Sequence, residues 1–140
     1  MMHLFRKKRP ASAPGASSQS EIRTVPLGYT PEFMLPDTLE ASVSSVIGTR
    51  QEQQDSLCLR PVDAGVAAVV CDGMGGLQNG QLASRAAADM FLETVAHAPA
   101  ESLPDVFAQS LETINEAVCK AAPGGGSTLV GAVVSGTQLF

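Results

Sequence analysis

One stretch restricts this 140-residue chain more than any other: an apolar run, Ala64 to Val70, that passes through Cys71 into Asp72 and then into Gly73, Gly75, Gly76 and Gly80. The run is of strand length and does not alternate, the pattern of a strand buried on both faces. A helix is expected directly after it, over about Gln78 to Ala98. Its apolar face is read from the line Leu82, Ala86, Met90 with Ala83, Ala87 and Phe91 beside it. Strand, Gly-rich turn and helix in that order describe an α/β unit, and such units bind ligands at the carboxyl ends of their strands. Glycines there let the backbone approach an ion or a phosphate closely. One carboxylate beside exposed backbone carbonyls suits a hard cation such as Mg²⁺ or Mn²⁺. A tight turn with a capping Asp accounts for the same spacing as well.

The remaining punctuation extends this outline. ASVSSVIG, from Ala41, is read as a strand, as is SLCLRPV from Ser56, with Pro61 ending its pairing. A second helix is expected from Ser102. Ser102 and Asp105 fit an N-cap pattern, Pro104 sits in the first turn, and Val106, Phe107, Leu111, Ile114 and Val118 form a stripe. Pro123 and Gly124 end it. STLVGAVV and TQLF then read as two strands joined by a turn at Ser135-Gly136. Residues 1–40 look different. Residues 1–20 end in ASAPGASSQS, read as a disordered basic tail, and Pro26, Pro31 and Pro36 make residues 21–40 an irregular lead-in. The ordered domain is therefore placed at 41–140.

Charge and cysteines exclude several classes. Arg6, Lys7, Lys8 and Arg9 put +4 on the first ten residues; removing that from the net −5 leaves −9 on the other 130. An acidic body is unsuited to nucleic acid, whose phosphates need clustered cations. Cys58, Cys71 and Cys119 are odd in number and widely spaced, which fits neither a disulfide framework nor a zinc site, and points to a reducing cytoplasm. The basic start lacks the apolar run of a signal peptide, and no stretch approaches the length of a membrane span. His3 and His97 have no metal-binding partner at helical spacing. Gly124-Gly125-Gly126-Ser127-Thr128 has no Lys and precedes a strand, so it is not a Walker-type nucleotide loop.

Four elements in register resemble the metal-dependent protein phosphatases of type 2C, the PPM family. They are Arg50 followed by Gln54-Asp55, Asp72-Gly73-Met74-Gly75-Gly76, Gly80-Gln81-Leu82-Ala83-Ser84, and Gly126-Ser127-Thr128-Leu129. The resemblance covers residues 43–140. It implies an α/β fold, a four-layer α-β-β-α sandwich of which this chain holds the N-terminal half. It also implies hydrolysis of phosphoserine and phosphothreonine on a phosphoprotein substrate through two Mg²⁺ or Mn²⁺ ions. In that scheme Asp72 bridges the ions, Gly73 offers its backbone carbonyl, Asp55 sits at the metal site with Gln54 as a further candidate, and Arg50 holds the substrate phosphate. There are departures. Gln54 and Gln81 replace frequent Glu residues and Leu77 a frequent His, which lowers the negative charge available to a cation. The family's later Asp motifs are expected beyond Phe140, so this chain is expected to have little or no activity alone. It is then an incomplete enzyme, a non-catalytic half-domain that binds a phosphoprotein or a chain supplying the missing half, or an inert truncated product.

Overall fold

The computed structural model describes residues 6–7, 39–41, 43–75 and 79–140. The chain divides into two compact units, Met1–Ser45 and Val46–Phe140. In the first unit, strand β1 (Arg6–Lys7) pairs antiparallel with β2 (Leu39–Glu40), Arg6 opposite Glu40. The rest of the expected tail and lead-in lies outside the described residues. The strand expected at ASVSSVIG does not form: residues 41 and 43–47 have no ladder partner, and Val46 and Ile47 are exposed. Val43 and the Val46-Ile47 pair, spaced by serines, do not alternate and give such a strand too little to bury on one face.

The second unit is built on one antiparallel sheet in the order β3-β4-β6-β7, with β5 added to the end of β4. Strand β3 spans Asp55–Val62 and β4 spans Gly65–Met74. They form a hairpin closed by Asp63-Ala64, with Val62 opposite Gly65 and Asp55 opposite Asp72. Pro61 was expected to end the pairing, yet it stays in the ladder opposite Val66. The two-residue turn makes Val62–Gly65 a hydrogen-bonded pair, so position 61 directs its nitrogen outward. β3 is the outer strand, and an outward nitrogen without a proton disturbs no ladder there.

Strand β5 (Gly126–Ser127) and β6 (Val130–Ser135) share one register against β4: Gly73 faces Ser127 and Val70 faces Val130. They are one strand interrupted at Thr128-Leu129. β7 (Gln138–Leu139) returns through Gly136-Thr137, one residue later than expected. Gly136 has φ +56°, the left-handed conformation that a tight hairpin turn requires. Phe140 continues the pairing, exchanging both backbone hydrogen bonds with Val133 at 3.0 and 2.9 Å.

Helix α1 (Asn79–Val95) follows β4, and a 3₁₀ turn at Ala100–Ser102 leads into α2 (Leu103–Ala121). The buried face of α1 is Gly80, Ala83, Ser84, Ala87, Ala88, Phe91, Leu92 and Val95. Of the expected face, Ala83, Ala87 and Phe91 are buried and Ala86 and Met90 pack partly buried against the core, while Leu82 is exposed. In α2 the buried positions are Leu103, Ser110, Ile114 and Val118, and Leu111 is exposed, contrary to the expected stripe. Ser102 precedes α2 without capping it; its hydroxyl donates to Pro99 O at 2.9 Å. The 3₁₀ turn already occupies the position from which it could reach the first turn of α2. Pro104 lies in that first turn as expected, and Gly124, at φ +78°, follows the helix end.

Both helices cover one face of the sheet. Ala67, Val69, Cys71 and Val133 share a core with Phe91, Leu92, Leu103 and Val118. Gly131 lets Phe91 reach the strand, since a Cβ there would lie 2.3 Å from the ring. Alternation puts Val66, Ala68, Val70 and Asp72 on the opposite face. Val66 and Ala68 are buried as well, outside the helix-side core, so β4 is covered on both faces as its sequence predicts.

Candidate functional site

The β3–β4 hairpin brings the two expected carboxylates together. Asp55 and Asp72 are directly opposed at the open end of the hairpin. The flanking ladder bond from Gly73 N to Gln54 O, 3.2 Å, makes Asp55–Asp72 a non-hydrogen-bonded pair. In such pairs the Cα atoms are about 4.5 Å apart and the side chains share a face. That face is the one turned away from α1 and α2. The Asp55 carboxyl is raised above the ordinary carboxylate range, first by burial, then by the Asp72 charge and a hydrogen bond to it. The Arg50 guanidinium acts in the opposite direction. Arg50 is exposed, in the turn before β3, with its backbone N bonded to Ile47 O at 3.3 Å. Arg50 and Asp72 are therefore both electrostatic neighbours of Asp55, although 22 positions separate Arg50 from Asp72 in sequence.

The interruption at Thr128 holds Asp72 by its backbone. Asp72 N donates to Thr128 Oγ1 at 2.9 Å, and Thr128 N donates to Asp72 O at 2.9 Å. Ser127 Oγ adds a third contact, donating to Asp72 O at 3.2 Å. Sequence reasoning singled out Gly126-Ser127-Thr128 as a motif without finding this role. The signal lay in its register with Asp72-Gly73, which only pairing reveals.

Gly73 is buried in a position that admits no side chain: a Cβ would lie 2.0 Å from Gly80 O and 2.7 Å from Gln54 O. Gly80, in the first turn of α1, leaves room in turn for Gln54, whose Oε1 would lie 2.6 Å from a Cβ added there. Gly75, at φ +132°, packs on Gly125. Asn79 Nδ2 donates to Pro123 O at 3.1 Å across the same junction. Gly76-Leu77-Gln78 lies outside the described residues. Cys71, beside Asp72, points into the core; burial pushes its thiol up to about 11, with a Ser127 hydrogen bond opposing, so it is no nucleophile at neutral pH.

The oxygen donors of this corner are of the type Mg²⁺ and Mn²⁺ accept, and the mutual repulsion at Asp55 is what a cation relieves. The donor set is small. Among the described residues no group of three or more His, Cys, Asp or Glu side chains converges on one point. Among them also, no helix is long and apolar enough to cross a membrane.

No family model matches the chain, and no curated protein resembles it in sequence. Solved structures do match. The serine/threonine phosphatase of S. agalactiae is similar over 64% of this chain and 41% of its own, with TM-score 0.57 and 23% identity. The serine/threonine phosphatase Stp1 from Staphylococcus aureus matches over 66% of this chain and 40% of its own, at TM-score 0.56 and 20% identity. The Mycobacterium tuberculosis serine/threonine phosphatase PstP/Ppp matches over 65% and 40%, at TM-score 0.53 and 23% identity. The chain spans less than half the length of these structures. Over the matched part it has the α/β fold of the bacterial type 2C serine/threonine phosphatases, supplying one sheet and the helical layer on one of its faces.

Proposed function

We propose that this chain is part of a metal-dependent serine/threonine protein phosphatase of type 2C. The observation that carries the reading is the opposed pair Asp55–Asp72 beside Arg50, on the face turned away from the helices in a sheet with that fold. Asp72 and Asp55 would hold Mg²⁺ or Mn²⁺, with the Gly73 carbonyl as a neutral donor from the same turn. Bound ions supply Lewis acidity for in-line hydrolysis of a phosphate ester. Arg50 offers a planar, permanently charged fork to the phosphate of a phosphoserine or phosphothreonine on a protein. The β3–β4 ladder opposes the two carboxylates, and Thr128 holds the Asp72 backbone from the other side. In hydrolysis water adds to phosphorus, the ester P–O bond breaks, and the released seryl or threonyl oxygen takes a proton.

Two carboxylates do not make a full two-metal site. We therefore expect Mn²⁺ binding by the 140-residue chain with little or no Mn²⁺-dependent hydrolysis of p-nitrophenyl phosphate, further acidic ligands coming from another segment or a partner chain. Titration of Mn²⁺ followed by electron paramagnetic resonance tests this. Binding that Asp72→Asn weakens supports the site. Equal binding by wild type and Asp72→Asn rejects it.

A further inference from the structure

Helix α1 grips the start of β3 at two points that straddle Asp55. At the first, Gln54 Oε1 lies against Gly80. At the second, Ser56 Oγ and Ser84 Oγ are 2.8 Å apart. Residues i and i+4 of a helix are about 6 Å apart along its axis, and residues i and i+2 of a strand about 6.7 Å. Gly80 and Ser84 therefore match Gln54 and Ser56 in spacing. Residue 55, between the two anchors, must project to the other face of the sheet, where Asp72 stands. Ser84 is fully buried, and its hydroxyl also donates to Gln81 O at 3.2 Å. Either hydroxyl can donate in the Ser56–Ser84 bond.

The sequence alone offers Gln54 as a further cation ligand and leaves Ser84 without a task. We infer that Ser84, through Ser56, is a positioning residue for Asp55, with Gln54 as the companion anchor on the helix side. Among the described residues, the strand end that carries Asp55 has a neighbour only on the β4 side. A hydroxyl bridge to a rigid helix removes its freedom to peel away from Asp72. A carboxylate held by such a support binds a cation better than one on a fraying end, and loss of outer supports costs on the order of tenfold in metal affinity.

This inference rests on the cation site proposed above, and its test separates the two. Mn²⁺ affinity is measured for wild type, Asp72→Asn, Ser84→Ala, Ser56→Ala, the double Ser56→Ala/Ser84→Ala and Ser56→Thr, with thermal unfolding of each. Ser84→Ala and Ser56→Ala are each expected to weaken Mn²⁺ binding by about tenfold. The double variant should lose no more than either single one, because both remove the same bond. Ser56→Thr keeps a hydroxyl on a strand-compatible residue and should bind like wild type. Ile114→Val, on the buried face of α2, should lower the melting temperature without moving Mn²⁺ affinity. If Asp72→Asn leaves Mn²⁺ binding unchanged, the site and this inference fall together. If Asp72→Asn weakens it while Ser84→Ala and Ser56→Ala do not, the positioning role alone is overturned. Additive losses, or a loss in Ser56→Thr equal to that in Ser56→Ala, overturn it too.

Discussion

Asp55 is a residue whose position costs the fold something. Its carboxyl is raised by burial and by Asp72, so the folded chain favours its protonated form more than the unfolded chain does. A raised carboxyl makes stability fall as pH rises from below the ordinary carboxylate value to above the shifted one. Without added metal, Asp55→Asn should therefore raise the melting temperature at pH 7. The gain should shrink towards zero as pH falls through the carboxylate range. A variant no more stable than wild type at pH 7 would place the two carboxylates too far apart to repel. The glycines divide sharply under the same kind of scrutiny. Gly73→Ala drives a methyl group into two backbone oxygens and is expected to cost at least about 3 kcal/mol by denaturant unfolding. Gly80→Ala presses mainly on the end of the Gln54 side chain instead of on backbone oxygens, and a gain in helix propensity of about 1 kcal/mol offsets that crowding. It should unfold within about 1 kcal/mol of wild type. Asp72, Gly73 and Gly80 were legible in the sequence because their chemistry is local: a strand end, a tight turn and a helix start. Ser84 and Thr128 were legible only as letters of a motif, because what they do depends on which strand or helix lies beside them.

At the scale of elements, periodicity found every long one and misplaced one leucine on each helix. Both helices exist near the expected bounds, yet α1 turns Leu82 outward and α2 turns Leu111 outward. The cause is the small-residue character of the α1 interface. Gly80, Ala83, Ala87 and Ala88 let the first turns of the helix lie close to the sheet, and the face they share with Phe91, Leu92 and Val95 leaves Leu82 outside. In α2 the 3₁₀ turn places Leu103 at the deepest point, and the stripe follows from there. Leu111→Gln should therefore change stability by less than about 0.5 kcal/mol. Leu103→Ala should cost about 2–5 kcal/mol. Chemical denaturation of the two variants checks both numbers, and a large loss at Leu111 would return it to the core. The strand expected at ASVSSVIG failed for the converse reason: its few apolar residues do not alternate, and among the described residues no neighbouring strand pairs with it. Pro61 was misread because an outer strand and an inner strand look alike in sequence.

At the scale of the whole molecule, the two faces of the sheet are unequal. One lies under α1 and α2. The other carries Asp55 and Asp72 at one end, and Val130 and Leu139 project on it with relative exposures of 65% and 69%. By alternation Val130 lies in line with Ala132 and Val134, and Leu139 stands opposite Val134. An apolar strip of this kind favours association. The purified chain should elute with concentration-dependent mass in size-exclusion chromatography with light scattering, and Val130→Ser/Leu139→Ser should shift it towards monomer. A wild-type chain that stays monomeric at all concentrations would mean that this face is not sticky. The contact between Gly131 and Phe91 carries a different kind of consequence. The gap between helical layer and sheet at that point is one ring wide, and neither residue can be exchanged without the other. Among descendants of this sequence the two positions should drift as a pair: wherever 131 acquires a side chain, 91 should be found reduced to something smaller than Phe, and a change at 131 alone should be purged.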